Sequence, residues 1–189
     1  MKKLLTMLLV VMMALSVAAC GGNSESGGQA DAGEIADALE ILTTVWGSYE
    51  EAEVFPVAGG DSANANWEGP AKFDLKAADE LEANFGVPAD LAEQIDDAAT
   101  MMHAMMANNF AVGAYHLTDG GNADDFAAAL KDALLAKQWL CGQPEKVMIF
   151  TVGDYVVSVY GLGDLLDAFE TKLTTAYPAA KLAWEENIA

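Results

Sequence analysis

The sequence predicts an α+β fold: a helical N-terminal part, then a βαββαβ unit on an antiparallel sheet. Three observations carry this. Val147 to Val152 and Tyr155 to Tyr160 are β-rich runs flanking Gly153-Asp154, a two-residue hairpin signal. Helical patterns lie on either side, one from Ala123 with Phe126, Leu130, Ala133 and Leu134 inward, the other from Asp164 with Leu165, Leu166, Phe169 and Leu173 inward. The run Ala111 to Leu117 precedes them as a strand, and Leu182 and Trp184 alternate with polar neighbours as a short last one. Strand, helix, hairpin, helix, strand is the ferredoxin-like order, each helix packing on a face of the sheet.

From the start of the folded part, Ile35, Ala38, Leu39, Leu42, Val45 and Trp46 recur at helical spacing, and Gly47 stops that helix. Ser48 to Pro70 has little periodicity and contains Pro56, Gly59, Gly60 and Gly69, so it reads as loop, with Phe55 and Trp67 as candidate anchors. Leu75 to Asn84 reads as a short helix ending before Gly86. Pro88 opens a further helix through Leu91, Ile95 and Ala98, whose pattern can continue into Met101 to Met106. Asn122 is suited to capping the helix from Ala123 to Leu140, which Gly142 and Pro144 end. Pro178 ends the last helix. A single domain over residues 34–189 follows, with a helical and loop part over 34–110 and the βαββαβ part over 111–189.

Ahead of it, Lys2 and Lys3 start an apolar run, Leu4 to Val17, that leads to Val17-Ala18-Ala19-Cys20. Charge, length and small residues before a cysteine make a secretory signal peptide over residues 1–19 of the lipoprotein kind. Cys20 is then the lipidation site, and acyl chains there hold the protein on the extracytoplasmic face of a bacterial cell membrane, at roughly 0.8 kcal/mol per buried methylene. Residues 20–33 are Gly, Ser, Asn, Gln and Ala with scattered acids, a flexible tether. No second apolar stretch is long enough to span a membrane.

The 189-residue chain carries 29 carboxylates against nine basic residues, all lysine, for a net charge of −20. Arginine, the preferred reader of phosphate, is absent. Such an acidic chain is repelled by nucleic acid and anionic headgroups, so nucleic-acid binding and peripheral headgroup docking are rejected. With Cys20 lipidated, Cys141 has no intramolecular partner and is a candidate free thiol.

The strings EILTTVWGSY, FPVAGGD, QIDDAATMMHAMMANNF, QWLCGQPEKV, VGDYVVSVYG and KLTTAYP together resemble the small clostridial lipoproteins labelled bacteriocin transport accessory protein. The second half is also similar to clostridial lipoproteins carrying a domain of unknown function. The resemblance implies help in peptide export and transfers no catalytic or binding residue. It also implies that some relatives have a cysteine near the position of Val112, a partner for Cys141 that this chain lacks.

Two constellations could carry chemistry. Met101, Met102, His103, Met105 and Met106 form a thioether-rich stretch with one imidazole. If helical, Met101 with Met105 and Met102 with Met106 are neighbours one turn apart. Three readings are open: adaptable core, a forgiving groove for apolar peptides, or a Cu(I) site. Trp139 to Pro144 has the look of a redox motif around Cys141, yet position 144 is proline where a dithiol needs its second cysteine, and the segment closes a helix rather than opening one.

Other features have simpler accounts. Asp119 to Asp125 is acidic and Gly-rich but lacks the spacing of a calcium loop, and Asn122 capping accounts for it. Asp96-Asp97 and Glu50-Glu51 read as solvated charge pairs. Two isolated histidines and no nucleophile elbow leave no serine chemistry to assign. Tyr115 and His116 fall on opposite faces of their strand, one core and one surface. The expectation is therefore a non-enzymatic interaction or accessory module with a protein or peptide partner and no cofactor, with a copper-binding or thiol-redox lipoprotein as the alternative.

Overall fold

Apolar residues fill whole strands rather than alternate positions in VMIFTV and YVVSVYG, and such strands need cover on both faces. The computed structural model, which describes residues 35–105, 109–118, 121–139 and 142–188, supplies it. The chain runs α1 (Ala38–Gly47), β1 (Val57–Gly59), β2 (Ala71–Lys72), α2 (Ala78–Phe85), α3 (Ala89–Ala92), β3 (Ile95–His103), β4 (Phe110–Leu117), α4 (Ala123–Ala136), β5 (Lys146–Val152), β6 (Tyr155–Gly161), α5 (Gly163–Ala176) and β7 (Lys181–Asn187). All the strands join one seven-stranded sheet of order β1-β3-β4-β6-β5-β7, with β2 also paired to β3, and every pairing is antiparallel. The fold class is α+β.

The sheet departs from the ferredoxin-like arrangement. There the last strand lies beside the first strand of the unit, here β4. In this chain β3 holds that place, and β7 pairs with β5 on the opposite side. The consequence follows from chirality. The crossovers β4-α4-β5 and β6-α5-β7 step the same way across the sheet from strands that run in opposite directions. Right-handed connections then require their helices on opposite faces. Accordingly Leu166, Phe169 and Leu173 of α5 pack with α1 on one face, against Val112, Phe150 and Val157. Phe126, Leu130 and Leu134 of α4 pack with α2 and α3 on the other, against Tyr115, Ile149 and Val156.

The helix expected from Pro88 onward is also corrected. α3 stops at Ala92, and the residues beyond form β3. The pairing of β3 with β4 shifts register between Ile95 and Asp97, so Asp96 sits in a bulge. The extra residue puts Ile95 and Ala98 on one face, where both join the core under α4. Three-residue spacing on one face imitates a helix; here it is a strand with a bulge. The helix from Ala123 ends earlier than expected, at Ala136.

Other elements form as their residues dictate. Asp37 caps α1 by accepting the Glu40 N–H at 2.8 Å. Asp97 accepts the Ala38 N–H at 2.8 Å, and Lys72 bridges Asp37 and Asp97 at 3.2 and 3.1 Å, fixing the start of α1 to the sheet edge. Asn122 caps α4 through the N–H groups of Asp124 and Asp125. Gly153 turns the β5–β6 hairpin at φ 61°. Tyr115 is fully buried, while His116, on the other face of β4, is half-buried beside Tyr155 and pairs with Asp96.

The Tyr115 ring lies back over Gly113, so a Cβ at Gly113 would stand 2.0 Å from its phenol oxygen. Gly113→Ala is expected to lower stability by about 3 kcal/mol, as overpacking at a rigid site does. Urea denaturation checks it, and a loss below about 0.5 kcal/mol contradicts the packing.

Burial raises the pKa of all five tyrosines, most strongly Tyr49, Tyr115 and Tyr160. Their folded pKa values lie above the unfolded value near 10, so this stability is whole below pH ~10 and is lost as pH rises above it. An alkaline titration followed at 295 nm should show most phenolate appearing together with cooperative unfolding. A smooth titration centred near pH 10 in the folded protein contradicts the burial.

Candidate functional site

The methionine stretch is not a helix. β3 carries it as far as His103, so successive side chains alternate across the sheet. Met101 is buried in the core under α1 and α5, whereas Met102 packs on the α4 side. Met105, beyond the strand end, is 57% exposed. The helical pairing anticipated for Met101 with Met105 is therefore not formed, and Met101 is core. Met106, Cys141, Cys20, the signal segment 1–19 and the tether 20–33 lie outside the described residues.

Met102, His103 and Met105 do converge on one feature, a cavity of about 330 Å³ at the His103 end of β3. Phe110 at the start of β4, Trp139 beyond α4, and Tyr160 of β6 complete its apolar lining. Trp139 meets Tyr160 edge-on, with ring centroids 4.8 Å apart, a contact worth about 1 kcal/mol beyond its buried area.

The far wall is the C-terminal end of α2, where helix carbonyls need partners. The Lys137 ammonium donates to the carbonyls of Glu82 at 3.1 Å and Ala83 at 2.7 Å. The Tyr160 phenol donates to the next carbonyl, that of Asn84. Lys137 also stands over the Trp139 ring, 5.6 Å from its centroid. Burial lowers the Lys137 pKa, with Glu82 opposing the shift. On the remaining side, Asn109, at φ 32°, donates from its amide to the Gly142 carbonyl at 3.0 Å.

His103 sits at the margin of the cavity. Its ring stacks on Phe55, with centroids 5.0 Å apart and planes within 4°. Its Nδ1 accepts the Met105 N–H at 2.9 Å. An acceptor nitrogen belongs to neutral imidazole, and burial lowers the pKa in the same sense. That hydrogen bond shapes the bend that leaves Met105 exposed.

The lining suits an apolar or aromatic side chain held among rings and thioethers. Among the described residues no group of three or more His, Cys, Asp and Glu side chains gathers as a metal site would. Of the thioethers considered for copper, Met101 and Met102 lie on opposite faces of the sheet. Asp96 and Asp97 have separate partners, His116 for one and Lys72 with the Ala38 N–H for the other. Glu50 and Glu51 are exposed in the turn after α1. His103 and His116 lie on different stretches of the sheet, each with its own contacts.

Phe110, Lys137 and Tyr160 were not legible as site residues. Phe110 and Tyr160 lie in or next to runs that read as buried strands, and Lys137 reads as a solvated helix lysine. The adjacency of Trp139 and Cys141 drew attention to sulfur chemistry, and Trp139 lines the cavity. Comparison with known protein families, curated proteins and solved structures finds no match for this chain.

Because the folded pKa of His103 lies below its unfolded value near 6.5, the unfolded chain takes up a proton first as pH falls. Stability should therefore fall as pH drops through the interval below ~6.5, and His103→Gln should flatten that part of the profile. Urea denaturation from pH 7.5 to about 5 checks it, with the His103 ring nitrogens followed by NMR. A ring that titrates at or above the ordinary histidine value contradicts the assignment.

Proposed function

We propose that this chain is an exported lipoprotein, anchored through lipid on Cys20 to the extracytoplasmic face of the cell membrane, whose folded domain is a non-enzymatic interaction module. The cavity between Trp139, Tyr160 and Met105 is the recognition site, and a protein or peptide partner places an apolar side chain in it. The observation that carries this reading is the cavity itself, with an aromatic and thioether lining and Met105 57% exposed at its margin. Large apolar side chains in a recess, with a flexible thioether beside them, suit binding of varied apolar groups. The resemblance to accessory proteins of bacteriocin transport agrees with a peptide-handling role. Among the described residues no helix is long and apolar enough to cross a membrane.

The reading separates into two measurable parts. Cys20→Ser should move the protein from the membrane fraction to the soluble fraction, and unchanged fractionation contradicts the lipid anchor. A photo-crosslinking residue at Met105 should give a discrete polypeptide adduct in the host, whereas one at Val54, exposed elsewhere at 52%, should not. Trp139→Ala should abolish the Met105 adduct while the domain still folds by circular dichroism. Equal adducts at both positions, or none at Met105, contradict the recognition site.

A further inference from the structure

The charges around the cavity define its occupant more narrowly than the apolar lining does. Three clefts share walls with it. One shares Ala83, Lys137 and Gln138 and carries Asp79 and Glu82. A second shares Lys137 and Trp139 and carries Glu186. The third meets it at His103 and carries Glu145 and Asp164. The described residues lining these recesses include five acidic side chains and a single lysine, Lys137. Lys137 is already committed to the carbonyls of Glu82 and Ala83 and to the Trp139 ring. Glu145 also accepts the Gly163 N–H at 2.9 Å.

We propose that the occupant is a cationic segment of a partner polypeptide that presents one large apolar side chain. The side chain enters between Trp139, Tyr160 and Met105. Lysines or arginines beside it pair with Asp79 and Glu82 on one side, Glu186 on another, and Glu145 with Asp164 on the third. This rests on the reading of the cavity as the recognition site and adds the charge of what it recognises. Complementarity also disfavours other occupants. A second copy of the chain brings −20 of the same sign, and nucleic acid or an anionic lipid brings phosphate to a carboxylate rim. An apolar recess inside a charged rim is the usual division of labour at a protein interface, the recess supplying affinity and the rim supplying rate and partner choice.

The test uses the full chain purified in detergent and three capped heptapeptides, with binding followed by calorimetry. One alternates lysine with leucine and phenylalanine, one replaces every lysine with glutamate, and one keeps the lysines and replaces the apolar residues with serine. The lysine and apolar peptide should bind at least about tenfold more tightly than either of the others. Its affinity should fall about tenfold in Trp139→Ala, in Met105→Ser and in the double variant Asp79→Asn with Glu82→Gln, and fall again in about 0.5 M salt. Met105 is exposed, so its substitution keeps the test sound if Trp139→Ala fails to fold. Equal binding of the glutamate and apolar peptide overturns the charge inference and leaves the cavity reading in place. Equal binding of the lysine and serine peptide, unaffected by Met105→Ser, means diffuse attraction to an acidic chain and overturns both. No binding by any of the three also overturns both.

Discussion

Everything in this molecule depends on β3 lying beside β4. Seven residue pairs from Ile95–Leu117 to Met102–Ala111 hold the two strands together. That pairing takes the place that the last strand of a four-stranded βαββαβ unit would fill. β7 is therefore found on the far side of β5, and the handedness of its crossover carries α5 to the face opposite α4. The three central strands, β4, β6 and β5, are then covered on both sides, which is why their sequences are apolar almost throughout.

The same pairing assembles the cavity. β3 delivers Met102 and His103 to one end of the sheet, where β4 begins with Phe110 and β6 nears its end with Tyr160. α2 and the residues after α4 close over that end, and Lys137 and Tyr160 bind three successive carbonyls of the last turn of α2. The wall of the cavity is thus fixed by hydrogen bonds that α2 needs at its end in any case. Its apolar floor is an extension of the core, and its rim takes the acidic character of the chain.

Much of the fold was legible. Gly153-Asp154 specified its hairpin, Asn122 its helix cap, and the spacing of Phe126, Leu130 and Leu134 the buried face of α4. What failed was local and had a physical cause. The bulge at Asp96 put Ile95 and Ala98 three residues apart on one face and made a strand look helical. Strand order was out of reach for another reason: the sequence of β7 does not say which sheet edge it will join, and neither candidate edge is marked by a distinctive residue. The site was half legible. Met102, His103 and Met105 attracted attention for their sulfur and nitrogen, yet the structure brings them together for shape and polarity. Met101, their neighbour in sequence, went to the core because strands alternate. Lys137 and Tyr160 gave no signal, since their roles arise only when α2 ends against them.

The most direct measurement is the backbone NMR of residues 95–105. Cross-strand contacts between facing residues of β3 and β4, around Thr100 with Gly113 and Met101 with Val112, should appear together with strand-like shifts. Contacts between β7 and β5, with none between β7 and β4, complete the predicted pattern. A ladder of contacts three residues apart through Ile95, Ala98 and Met101 would mean a helix there. It would remove the strand that builds the sheet and the cavity with it.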